Sequence, residues 1–154
     1  MINLSEIFQI ECKRTFQFLV DNYNFKIKKT ENSTYSTCIL YQNSTTAVEI
    51  CFEKRELQIL VLLMKLIDDK IPKYPIFIQP DTVINSFYLD DLMALSFIEI
   101  KQKKWGDKLT AEDLQETLTK YANYLEEFGN DILKGNFKVF NELEKKVKNR
   151  VKNE

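Results

Sequence analysis

The chain has 154 residues, 44% hydrophobic and 29% charged, with 22 basic and 23 acidic side chains and no histidine. That length and composition suit one soluble domain, residues 1–154, with enough apolar side chains for a core. A formal net charge of −1 lacks the basic footprint of a nucleic-acid binder, and without histidine the commonest general base and metal ligand are gone.

In chain order, Leu4, Phe8, Cys12, Phe16 and Leu19 recur at helical spacing, which predicts an amphipathic helix over residues 4–21 capped by Asn3 or Ser5. A meander of antiparallel strands then runs from Asn24 to about Leu66. Phe25 to Lys29 alternates apolar and polar. Tyr35, Thr37, Ile39 and Tyr41 share one strand face, with Ser36, Cys38, Leu40 and Gln42 on the other. Val48, Ile50 and Phe52 likewise oppose Glu49, Cys51 and Glu53, so one side of this strand meets core and the other solvent. Turn-forming residues separate the strands at Glu31–Ser33, Gln42–Thr45 and Glu53–Glu56. Leu57 to Met64 is apolar on both faces; it reads as a buried central strand, with a buried helix as the alternative.

Pro72, Pro75 and Pro80 are the chain's only prolines and make residues 71–81 an extended crossover. A short helix opens around Phe87 to Leu95, where Asp90 and Asp91 suit the helix dipole. Residues 99–108 form a basic loop holding Trp105. Thr110 and Asp113 have capping-box spacing ahead of Leu114, Leu118, Tyr121, Ala122 and Leu125. Gly129 ends that helix, Ile132 and Leu133 plug a turn, and a last helix runs from about Phe137 to Val151. The fold class is therefore α+β: an N-terminal helix, a meander of about four strands, then about three C-terminal helices packed on the sheet.

Little in the chain supports ordinary catalysis. Ser-His-Asp and Cys-His arrangements are excluded, and Gly106, Gly129 and Gly135 form no phosphate-cradling loop. Cys12, Cys38 and Cys51 are scattered without CxxC spacing, which predicts reduced thiols and neither metal nor cofactor. The adjacent acids Asp68-Asp69, Asp90-Asp91, Glu112-Asp113 and Glu126-Glu127 point different ways on a helix. A carboxylate-dependent hydrolase would have to assemble its acids across the fold. No apolar run is long enough to cross a bilayer, and residues 1–6 lack a basic, then apolar, secretion signal; both suggest a cytoplasmic protein away from the membrane.

The run Leu118–Leu125 followed by Asp131–Phe137 resembles small uncharacterised bacterial proteins that look like immunity proteins of toxin systems. So do Phe18-Leu19-Val20, Asn22–Phe25, Tyr41 and Val48-Ile50-Phe52 ahead of them. The resemblance implies a non-enzymatic protein-binding module that neutralises a protein partner, such as a toxin domain, by steric occlusion. The contact residues expected on that reading are Tyr88, Asp90, Asp91 and Trp105 near the crossover, with Glu49 and Glu53 on the exposed strand face. The alternative is a homo-oligomeric structural or regulatory subunit, a homodimer formed through a sheet edge or the last helix.

Overall fold

A computed structural model describes residues 3–103 and 108–153. Five strands form one antiparallel sheet in sequence order: β1 (Lys26–Asn32), β2 (Ser36–Gln42), β3 (Thr46–Glu53), β4 (Gln58–Lys65) and β5 (Ser86–Tyr88). Around it run α1 (Leu4–Thr15), α2 (Gln17–Tyr23), α3 (Leu89–Ala94), α4 (Ala111–Phe128), α5 (Asn130–Leu133) and α6 (Phe140–Lys152).

The alternation along the strands sets the architecture. Thr37, Ile39 and Tyr41 on β2, Val48, Ile50 and Phe52 on β3, and Ile59, Val61 and Leu63 on β4 are buried. Every helix adds buried residues to that same core, among them Phe8, Leu19, Met93, Leu118, Ile132 and Leu143. The helices therefore lie on one face of the sheet. The residues between the core positions, Cys38, Leu40, Glu49, Cys51, Leu60 and Leu62, are only half-buried.

The caps follow the sequence. The Asn3 side chain accepts hydrogen bonds from the Ser5 and Glu6 backbone N–H groups at the start of α1. Ser5 instead turns inward, where its hydroxyl is bonded to that of Thr37 on β2. Thr110 and Asp113 form the expected capping box on α4, and the predicted stripe from Leu114 to Leu125 is buried. Gly135, at φ +89°, leaves α5 in the left-handed region, where an added Cβ would lie 2.9 Å from Thr45 Oγ1.

The strand expected over Leu57 to Met64 is present as β4, displaced by one residue to Gln58–Lys65. Three expectations are revised. The N-terminal helix is broken in two at Phe16. A fifth strand, β5, pairs Leu62–Met64 with Ser86–Tyr88 and takes up the start of the helix expected from Phe87, so that α3 begins only at Leu89. And β1, read as half-buried, is exposed along its length: the core stops short of this edge and takes no residue from it, whereas the opposite edge, β5, buries Ser86 and Phe87.

Between β4 and β5 the chain makes a long excursion. Asp68 and Asp69, both at positive φ, turn it back on itself between the bridged residues Ile67 and Lys70. Its return is held by α6: the Ile84 N–H donates to Glu144 Oε1 at 2.8 Å and Lys148 Nζ to the Pro80 carbonyl at 2.7 Å. Among the described residues no helix is long and apolar enough to cross a membrane.

Candidate functional site

The uncovered sheet face is built by register. Leu40 on β2, Glu49 on β3, Leu62 on β4 and Tyr88 on β5 pair successively and form one row across the sheet. Cys38, Cys51 and Leu60 form the neighbouring row, which Glu31 of β1 extends; Lys29 of β1 extends the first. Leu40, Leu60 and Leu62 stay outside the core although they lie in the middle of the sheet. The face is thus an apolar stripe with carboxylates and a lysine set among it.

Its charges feel one another. Partial burial raises the Glu49 carboxyl above the usual range; the Glu31 carboxylate adds to this, while Lys29 opposes it. Tyr88 is also raised, first by burial, then by Tyr74 of the excursion and by Glu49 and Asp91.

Of the six contact residues expected from the sequence, Glu49 and Tyr88 lie together on this face. Glu53 shares its strand face but lies at the end of β3, where its carboxylate accepts the Glu56 backbone N–H and ties the β3–β4 turn. Asp90 turns inward: the Tyr121 hydroxyl donates to its Oδ1 at 3.0 Å, and burial raises its carboxyl despite that bond. Asp91 is paired with Arg150 of α6, whose NH1 donates to Asp91 Oδ1 at 3.0 Å. Those two acids serve packing rather than the face. Trp105 lies outside the described residues.

The cysteines depart from expectation. Cys38 and Cys51, taken as separate reduced thiols, are disulfide-bonded across β2 and β3, whereas Cys12 is free and buried in α1. Each partner lies four residues out from the Gln42–Ala47 pair beside the β2–β3 turn, so the hairpin register sets them opposite each other. Counting outward from that turn in the sequence would have revealed the pair; reading cysteine spacing along the chain did not.

A second consequence is a convergence of ligand-type side chains. Cys38, Cys51 and Glu49 offer two sulfurs and a carboxylate oxygen all within 4.8 Å of one another. Glu49 and Cys51 are two apart on one strand and so share a face, while Cys38 reaches them from the next strand. Among the described residues this is the group of three such side chains that comes together, and only one of its members is a carboxylate.

Searches among protein-family models, curated proteins and solved structures found no match.

Proposed function

We propose that the chain is a non-enzymatic protein-binding module whose contact surface is the uncovered sheet face. In this reading it works in the cytoplasm as an immunity or inhibitor protein, neutralising a toxin-like partner by covering it. The observation that carries the reading is the one-sided helix layer, which leaves Leu40, Leu60 and Leu62 outside the core and beside the exposed Tyr88. Interfaces favour such an apolar centre with an aromatic anchor and a charged surround. Glu31, Glu49 and Glu53 outnumber Lys26 and Lys29 there, and an acidic face speeds encounter with a basic partner such as a nuclease toxin.

The test is affinity capture from the source cells with the wild-type chain and Leu62→Asp side by side, followed by co-expression of the captured protein. The reading expects a partner whose toxicity the wild type relieves and the variant does not. A captured protein that binds both equally would move the interface elsewhere.

One observation favours a second reading, a homo-oligomer. Strand β1 is an exposed edge of seven residues, open to pairing with another copy. Lys26, Lys28 and Lys29 and the bulge between Ile27 and Lys29 blunt that edge, which is why the reading comes second. A concentration-dependent dimer in light scattering would support it.

A further inference from the structure

We infer that Cys38, Cys51 and Glu49 form a binding site for one zinc-like divalent cation, open when the disulfide is reduced and closed when it forms. The inference stands apart from the proposed protein contact, because it concerns what these three side chains hold and not what covers them.

Hydrogen bonding between β2 and β3 fixes Cys38 and Cys51 opposite each other whether or not their sulfurs are joined. Their Cα atoms are 4.1 Å apart, closer than the roughly 4.4–6.8 Å usual for a disulfide. Reduction therefore leaves two thiols facing each other on a rigid platform rather than scattering them. Glu49 is already in place, its Oε1 3.6 Å from Cys51 Sγ.

The donor set selects the metal. Two thiolates and one carboxylate suit a borderline-soft ion such as zinc far better than magnesium or calcium, which prefer oxygen alone. Three protein donors leave a fourth tetrahedral position for water on the half-buried face.

A dithiol attacks one of the two sulfurs, its second thiol resolves the mixed disulfide, and two electrons pass to the protein as the dithiol closes to its own disulfide. Binding of the divalent ion then displaces the thiol protons from Cys38 and Cys51 into solvent. In a reducing compartment the metal-bound form is available, and in an oxidising one the disulfide excludes it.

Cobalt(II) is the probe, added to the whole chain either oxidised or reduced by a phosphine, which leaves no competing thiol. The expected result is a thiolate-to-cobalt charge-transfer band that saturates at one equivalent in the reduced protein, is missing from the oxidised protein, and is displaced by zinc. Cys51→Ser is expected to lose the band and Cys12→Ser to keep it. Glu49→Gln should weaken binding by at least about tenfold, the loss that even an outer-shell partner can cause. Absence of the band in reduced wild type with a folded circular-dichroism spectrum would overturn the proposal, as would its persistence in Cys51→Ser or unchanged affinity in Glu49→Gln. The comparison of oxidised with reduced wild type needs no substitution, so it decides even if a variant fails to fold.

Discussion

Tyr121 shows how much one buried side chain organises. Its hydroxyl donates to Asp90 and accepts from Gln102 Nε2 at 2.7 Å, joining α4, α3 and the segment that precedes α4. Tyr121→Phe removes both bonds and leaves Asp90 in place with its partner gone; it should cost about 1–3 kcal/mol in denaturant unfolding. Asp90→Asn keeps an acceptor for the tyrosine and removes a charge that burial disfavours. Because the Asp90 carboxyl is raised in the folded state, its ionisation works against folding at pH values above the unfolded carboxylate range. That penalty is relieved as pH falls. Asp90→Asn should accordingly match or exceed wild-type stability at neutral pH, with the difference shrinking in acid. Asp113 has the opposite sign. The Thr110 backbone N–H, then its hydroxyl, then Lys103 hold its carboxyl down to about 2, from an ordinary 3.8. Its contribution to stability is present above pH 3.8 and is lost as pH falls through about 2. A carboxyl-observed NMR titration of Asp113 with its midpoint near 3.8 would contradict the capping box. Thr110→Ala should cost about 1 kcal/mol by removing the same cap.

At the scale of elements, the strands were legible and the breaks were not. Glu49, Cys51 and Glu53 alternating with Val48, Ile50 and Phe52 gave both faces of β3, and hence the face that holds the candidate site. Leu57 to Met64 left a helix open as the alternative because a run apolar on both sides has no period; the pairing of β4 with β3 along its whole length makes it a strand. The kink at Phe16 and the strand β5 had no signal in the chain. Residues Ser86–Tyr88 are set as a strand by the free edge of β4, a tertiary contact that local pattern cannot express. The same edge explains Gln102. Beyond the reach of β5, its side-chain amide donates to the Ile59 carbonyl and accepts the Ile59 N–H, both at 2.8 Å, as a strand would. Gln102→Ala should leave both groups unpaired and cost about 1–3 kcal/mol, with faster amide exchange confined to the start of β4. The disulfide ties the β2–β3 hairpin in the same way. Its loop is short, spanning 13 positions, so Cys51→Ser in oxidised protein should lower stability by about 2–3 kcal/mol, and reduction of the wild type by a similar amount. Cys12 contributes nothing to that comparison: burial pushes its thiol far up, which makes it inert.

For the whole molecule the decisive feature is asymmetry. Among the described residues six helices cover one side of a five-stranded sheet, and the other side keeps three leucines only partly buried and Tyr88 exposed. A domain that needed these side chains only for folding would bury them, because each buried leucine contributes about 1.5–3 kcal/mol. Substitution should separate the two faces. Leu63→Ala, in the core, should cost about 2–5 kcal/mol, whereas Leu62→Ala, one residue away on the open side, should cost no more than about 1 kcal/mol, the span of strand propensity. The composition hinted at this surface through its near-neutral charge and its alternating strands, yet the particular row Leu40–Glu49–Leu62–Tyr88 required the register of four strands. The measurement that bears most directly on the account is quantitative capture of a partner by wild type, by Leu62→Asp and by Glu126→Lys on the helix layer, each shown to be folded. The account predicts that wild type and Glu126→Lys retain the same protein and that Leu62→Asp loses it; equal retention by all three, or loss only with Glu126→Lys, would contradict it.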